Sequence, residues 1–294
     1  MKVLVTGANG FIGRNVIERL ADQDIEFLTL DRAGPNMSVH HDLISPLDWW
    51  SPSGVDAVFH LAADSGVRSF NQSGFENNVQ ATENVLKWAT ANNVRMVVFG
   101  SSSSVYGNQM RMEETAVCTP LSPYAQSKFA SERLINCWAR SANRVAVTLR
   151  IFNAIGRYQR KDMFPSRICD HLKKVSEGQP DELKVFGSRL RSWTHVGDVV
   201  NGFWSALQTF HNSKLGTRLT FNLGTNAMMT QRDLIEMFSS RTKIQANIVQ
   251  EEPNPLDVQR TKADMVQFTS IFGWAPNHRN VNLAVDELIE EYAV

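Results

Sequence analysis

Tyr124 and Lys128 stand four residues apart in the run Tyr124-Ala125-Gln126-Ser127-Lys128. On a helix that spacing brings both side chains to one face. A free phenol, with a pKa near 10, is a weak base at neutral pH. A neighbouring ammonium favours the phenolate, and the pair then makes an acid/base able to take a proton from an alcohol. Upstream lies Ser101-Ser102-Ser103-Ser104-Val105-Tyr106-Gly107, directly after the apolar run Met96–Phe99. A hydroxyl there could hydrogen-bond a reacting oxygen and hold it against the base. Gly7, Gly10 and Gly13 form G-x-x-G-x-x-G after a first apolar run and before a helical pattern. Glycines in that context let the backbone approach a pyrophosphate, whose charge meets the helix N-terminus. Asp31 follows Gly13 by 18 residues. A carboxylate about 20 residues on binds the adenosine ribose hydroxyls of a dinucleotide. It also repels a 2′-phosphate, which favours NAD, although Arg32 beside it could accept one and leaves NADP open. A nicotinamide cation would be the second positive charge acting on Tyr124. Two such charges can supply the roughly 4 kcal/mol that lowers a pKa by about three units.

These residues need a scaffold, and the hydrophobic pattern describes one. Lys2–Thr6, Glu26–Leu30, Val55–Leu61, Met96–Phe99 and Val145–Phe152 read as strands. Arg14–Leu20, Asn77–Ala91 and Ser127–Ala139 read as helices between them. Strands alternating with helices imply βαβ units and a parallel sheet, with ligands at the carboxyl ends of the strands. The fold class is α/β, a doubly wound, Rossmann-like parallel sheet with a smaller C-terminal substrate-binding lobe. In the second half, Leu183–Gly187 and Leu219–Leu223 read as short strands. Ser166–Glu177, Gln231–Ser239 and Leu283–Tyr292 read as helices. The division implied is a cofactor domain over 1–156, with 190–222 returning to it, and a lobe over 157–189 and 223–294.

Composition narrows the function classes. In 294 residues, 43% are apolar and 20% charged, an ordinary globular balance. Thirty basic residues meet thirty acidic ones, which argues against a nucleic-acid partner. Cys118, Cys137 and Cys169 are dispersed and odd in number, and fit neither a disulfide framework nor a zinc site. His40-His41 lacks the i, i+4 spacing of a helical metal pair, so no metal is expected. His60 and His195 read as structural hydrogen-bonding residues, the latter in a strand-like stretch. Trp49-Trp50 reads as packing near the adenine end. No apolar run reaches the roughly 20 residues of a membrane span, and Lys2-Val3-Leu4-Val5 reads as a strand rather than a leader. A soluble cytoplasmic protein without a membrane partner is the expectation.

Taken together, these motifs resemble the extended short-chain dehydrogenase/reductase family, in particular its nucleotide-sugar epimerases and dehydratases. The resemblance runs through His60-Leu61-Ala62-Ala63, Asn78-Val79 with Thr82 and Asn84, and Leu149-Arg150-Ile151-Phe152-Asn153. It continues through Val185-Phe186-Gly187, Arg191 to Val199, Phe221-Asn222-Leu223-Gly224 and Gly273-Trp274-Ala275-Pro276. It implies Tyr124 as base, Lys128 on the nicotinamide ribose and Ser102 as the assisting hydroxyl at the sugar, with Ser103 a second contact. It implies NAD as cofactor, with Phe11 and Ile12 at the pyrophosphate and Asp42-Leu43 beside adenine. Leu61, Ala62, Ala63, Asn78 and Ser101 then belong to the cofactor groove. Asn153, Phe186 and Arg191 correspond to residues at the nucleotide sugar, with the nucleotide taken as uridine. The two apolar helices, over Ser73–Trp88 and Ser127–Trp138, correspond to those that pair as a four-helix bundle in a homodimer.

The serine run decides among reactions. Related 4,6-dehydratases are similar but carry Thr-Asp-Glu where this chain has Ser102-Ser103-Ser104, and serine hydroxyls are too weakly acidic for that elimination. The related decarboxylases carry Thr-x-Glu there, and that Glu is absent too. The implied reaction is inversion at sugar carbon 4 with one acid/base and a bound hydride acceptor. A net reductase or dehydrogenase on a keto sugar is the alternative, and a non-catalytic NAD-binding scaffold a third. Three departures accompany the resemblance. Asn254-Pro255-Leu256-Asp257 lacks an arginine that relatives place on the diphosphate, leaving Asp257 as the substrate-side residue and Arg260 or Arg189 as substitutes. Gly156-Arg157-Tyr158 replaces Gly-Pro-Arg. Arg160-Lys161-Asp162-Met163 resembles the Arg-Pro-Asp-Met of uronate 4-epimerases without its proline; it is read as a solvated loop, with bidentate recognition of a sugar carboxylate as the alternative.

Overall fold

The computed structural model describes residues 1–65, 72–141, 144–187, 189–213, 216–252 and 258–294. Its centre is a sheet of seven parallel strands in the order β11-β6-β5-β4-β1-β2-β3. These are β1 (Lys2–Thr6), β2 (Glu26–Asp31), β3 (Val39–His40), β4 (Ala57–His60), β5 (Met96–Ser102), β6 (Val145–Ile151) and β11 (Arg218–Leu223). The central strands are apolar on both faces because helices cover both. Val3 and Val5 turn to one layer with Phe59, Val98 and Val147. Leu4 turns to the other with Val58, Val97 and Phe99. Helices α1 (Phe11–Asp22) and α5 (Val196–Phe210) close the first layer, and α2 (Gln72–Ala91) and α3 (Pro123–Ser141) the second. The chain runs outward from β1 to β3 and then returns to β4 on the other side of β1. The reversal leaves a crevice at the carboxyl ends of β1 and β4.

The remaining elements form the smaller lobe and its seam with the sheet. They are β7 (Ala154–Ile155) paired with β10 (Thr194–His195), β8 (Leu183–Phe186) with β13 (Ile248–Glu251), and β9 (Leu190–Arg191) with β12 (Met229–Thr230). Helices α4 (Phe164–Ser176), α6 (Gln231–Thr242) and α8 (Val281–Tyr292) share a separate core of Ile168, Leu172, Val185, Leu234, Phe238, Val285 and Leu288. A short α7 (Val266–Phe272) packs an aromatic cluster onto β11 through Phe221, Phe268 and Phe272. No helix among the described residues is long and apolar enough to cross a membrane.

The sequence reading has no helix at α5, and the structure supplies one. Val196–Phe210 buries one face and carries Asn201, Ser205, Gln208 and Thr209 as a polar stripe at helical spacing, so the signal was present. Its β-branched residues and two glycines disguise it. Gly202 is there for closeness: a Cβ would lie 2.5 Å from Leu223 Cδ2 on β11. His195, read as part of a strand-like stretch, ends β10 and caps α5, its Nδ1 accepting from Gly197 N–H at 3.0 Å. Trp50 stacks on Trp88 at 5.4 Å, whereas Trp49 is exposed against the edge of His41 and packs into no core.

Candidate active site

Gly7 follows β1 at φ +69°, and a Cβ on it would lie 2.6 Å from the Ala62 nitrogen after β4. Glycine therefore lets the two strand ends close on each other. A Cβ on Gly13 would stand 2.1 Å from the Gly7 oxygen. Gly10 caps α1 without a side chain, so the N–H groups of the first turn have no side-chain acceptor from the cap. Asp31, ending β2, accepts from Asn9 N–H at 2.9 Å and Arg32 N–H at 2.7 Å, which pins the acid beside the loop. This bare cradle at a helix N-terminus, flanked by a fixed carboxylate, fits a dinucleotide pyrophosphate and ribose.

The cradle opens into one cleft of about 1070 Å³. Gly7, Gly10, Phe11, Ile12, Gly13, Asp31, Arg32, Asp42, Leu43, Leu61, Ala62, Ala63, Asn78 and Ser101 lie on its walls. So do Ser102, Ser103, Tyr124, Lys128, Asn153, Phe186 and Arg191. Asp257 lies outside the described residues. Of the two arginines proposed to replace the missing one, Arg189 lines the cleft with its guanidinium 5.9 Å from the Phe186 ring. Arg260 is instead bridged to Leu190 and is absent from the wall.

The first turns of α3 carry Tyr124 and Lys128 to the end of β5. Lys128 is buried, and Nζ donates to the Gly100 carbonyl at 2.7 Å. It sits 4.8 Å from the Phe99 ring centroid and 5.9 Å from that of Tyr124. Burial lowers its pKa to about 8 against the upward pull of Glu132. Burial pushes Tyr124 up to about 12, opposed by a hydrogen bond with Ser102 and by the charge of Arg160. The sequence argument enlists two positive charges, Lys128 and a nicotinamide; beside Lys128 alone, burial holds Tyr124 above the ordinary tyrosine value.

Several groups assigned to ligands spend their polar atoms on protein. Asn78 accepts from Asp64 N–H at 2.7 Å and donates to Ser127 Oγ at 3.0 Å. Ser127 in turn donates to the Tyr124 carbonyl at 2.8 Å, so Asn78 braces the turn that carries the base. Asn153 donates to Thr261 Oγ1 at 2.8 Å and to the Ser192 carbonyl at 3.3 Å. Ser101 donates to Glu132 Oε1 at 2.5 Å. Arg191 reaches the Val258 carbonyl at 2.5 Å. Ser102 Oγ accepts from Ser104 Oγ at 2.9 Å, which leaves its own proton for a partner such as Tyr124 or a substrate oxygen. His60 is structural, between Thr6 and Thr82 at 2.8 and 3.1 Å, and burial followed by the charge of Lys128 lowers its pKa to about 3.

Sequence reasoning missed a buried charge network behind the site. Glu132, one turn beyond Lys128, takes Ser101 and a bidentate Arg150 at 3.0 and 2.8 Å. Arg150 also lies 4.8 Å from the Tyr106 ring, whose hydroxyl donates to Asn222 at 2.6 Å. The i, i+4 spacing of Lys128 and Glu132 was the available signal. Residues 160–162 form the exposed loop expected there, with the Arg160 side chain 44% exposed. Arg160 lines the cleft, forks onto Asp162 at 3.0 and 2.7 Å and donates to Ser65 Oγ at 2.6 Å.

A dinucleotide cradle and a Tyr/Lys/Ser constellation on one doubly wound sheet define a short-chain dehydrogenase/reductase type of protein. Residues 3–224 match the model of the NAD dependent epimerase/dehydratase family, and the chain belongs to that family. It is 30% identical to the UDP-glucose 4-epimerase of Halalkalibacterium halodurans, over 97% of this chain and 94% of that one. It is 34% identical to the uncharacterized UDP-glucose epimerase YtcB of Bacillus subtilis, over 72% and 74%. Among solved structures it resembles MoeE5 in complex with UDP-glucuronic acid and NAD, with TM-score 0.88, 31% identity and coverage of 100% and 99%.

Proposed function

We propose that this protein is an NAD-dependent epimerase that inverts carbon 4 of a UDP-linked sugar. The observation that carries the reading is the meeting of Tyr124, Ser102 and Lys128 with the glycine cradle in one cleft, with serines where an eliminating enzyme needs acids. The family spans epimerases and dehydratases. The named relatives support the epimerase branch and a UDP-sugar. NAD, when bound, supplies reversible hydride acceptance from carbon 4 and a positive charge at the nicotinamide. Tyr124 takes the proton of the 4-hydroxyl and later returns it. Ser102 donates to the reacting oxygen and keeps it beside Tyr124. Lys128, anchored on Gly100, faces the ribose and stabilises the phenolate by its charge. Phe186 and Arg191 hold the base and diphosphate at the lobe end, with Arg189 as the second cation. The cofactor domain is residues 1–156 with 190–222, and the lobe is 157–189 with 223–294. The working form is a homodimer through α2 and α3.

Arg160 sharpens the substrate question. Its guanidinium is held by Asp162, so a uronate carboxylate must compete with that internal partner while a neutral sugar need not. The test is to incubate purified protein with UDP-glucose, UDP-glucuronic acid and UDP-N-acetylglucosamine, separate the products and follow NADH absorbance. An isomer of unchanged mass without net NADH supports the proposal and names the sugar. Stoichiometric NADH without an isomer replaces it with a dehydrogenase.

A further inference from the structure

Tyr158 has φ +66°, a left-handed backbone that a bulky residue adopts only when its surroundings hold it there. The holding contacts come from both lobes. Its N–H donates to Glu291 Oε2 on α8 at 2.9 Å. Its hydroxyl donates to Glu18 Oε1 on α1 at 2.6 Å. Arg157 donates to both Glu18 oxygens at 3.0 Å and to the Tyr158 hydroxyl at 2.8 Å. The Arg14 guanidinium lies 4.6 Å from the Tyr158 ring centroid and that of Arg157 lies 5.0 Å away. Asn15 Nδ2 ties the Phe11 carbonyl, at 2.8 Å, to the Arg157 carbonyl, at 3.1 Å. The segment is thus fastened to the opening turns of α1, the helix whose N-terminus forms the pyrophosphate cradle. Tyr158 lies on the wall of the same cleft as Gly10 and Phe11.

We infer that Tyr158 is a strap across the pyrophosphate end of the cofactor groove, latched to α1 by Glu18 and Arg157, and that NAD leaves only when the latch opens. This rests on the cofactor reading alone and not on which sugar is turned over. The latch side chains are nearly half exposed, 44% for Arg157 and 47% for Glu18, so salt must weaken it.

The experiment is release of NADH, followed by the fall in its fluorescence on displacement with excess NAD, for wild type, Glu18→Gln and Tyr158→Phe. Release about tenfold faster in both variants is expected, the effect of losing one charge-assisted hydrogen bond. Raising salt from about 0.05 to 0.5 M should speed release from wild type more than from Glu18→Gln, which keeps only the salt dependence of the pyrophosphate contact. Glu18 does not line the cleft, so Glu18→Gln should keep its turnover at saturating NAD. Circular dichroism and Tm identify a variant that has lost its fold, and Tyr158→Phe, which removes one hydroxyl, then carries the test alone. Release at the wild-type rate from folded variants, or equal salt dependence, overturns the strap and leaves the cofactor reading standing. A wild type that carries no NAD when denatured after purification and takes up no NADH overturns both.

Discussion

Lys128→Met should stabilise the protein at pH 7 while removing its function. The Lys128 side chain is 4% exposed as a residue, and burial lowers its pKa from 10.5 to about 8. At about 1.4 kcal/mol per pKa unit, the charged lysine costs the folded state about 3 kcal/mol. Methionine fills similar space without a charge but leaves the Gly100 carbonyl without the 2.7 Å bond, a loss of about 1 kcal/mol. The expected net gain at pH 7 is about 2 kcal/mol, or several degrees in Tm. The sign follows from proton counting. Between about pH 8 and pH 10.5 the unfolded chain binds a proton that the folded chain refuses, so wild-type stability rises with pH across that window. The penalty is full below about pH 8 and gone above about 10.5, so the gain from methionine should be complete at pH 7 and mostly lost at pH 10. Denaturant unfolding of both proteins at the two pH values measures this directly. A variant that is less stable at pH 7, or a gain equal at both, would refute the account of Lys128 as a functional charge held at a cost to stability.

Tyr124→Phe should cut turnover by about 10³-fold and leave NAD affinity within about threefold, as measured by product chromatography and NADH fluorescence titration. Near-wild-type turnover would remove Tyr124 as the acid/base. Glu132→Ala strips the bidentate partner from buried Arg150 and should cost about 3–5 kcal/mol in denaturant unfolding. A cost below about 1 kcal/mol would mean that water reaches Arg150. His60 refuses a proton in the folded state until about pH 3, against 6.5 ordinarily, so stability should fall as the pH drops through 6.5 toward 3. Between pH 6.5 and 4.5 that fall should be about 2 kcal/mol larger in wild type than in His60→Gln. Parallel acid limbs for the two proteins would contradict the burial of a neutral imidazole.

What the sequence made legible, and what it hid, divide along one physical line. The glycine loop could be read because its residues answer a local demand: Gly7 needs a positive φ, and Gly13 has no room for a Cβ. Tyr124 and Lys128 could be read because helical spacing is local too. Of the Glu132 cluster, only the spacing of Glu132 from Lys128 could be read. Its partners lie 31 and 18 residues away, on β5 and β6, and nothing in their own neighbourhoods marks them as a set. Tyr158 was visible only as a departure from a familiar tripeptide, because a left-handed backbone at a tyrosine is imposed by Glu18 and Glu291 from α1 and α8. Burial was the largest omission. Spacing reveals the charges that favour an ionised Tyr124 and not the desolvation that opposes them. In the fold, desolvation sets Lys128 at about 8 and Tyr124 at about 12, so the resting pair at neutral pH is an ammonium beside a neutral phenol. Glu132 helps hold the proton on Lys128, and the Ser102 hydrogen bond already favours an ionised Tyr124. A further positive charge entering the cleft lowers the Tyr124 pKa with the cofactor already in place, which ties the strength of the base to the loading of the site.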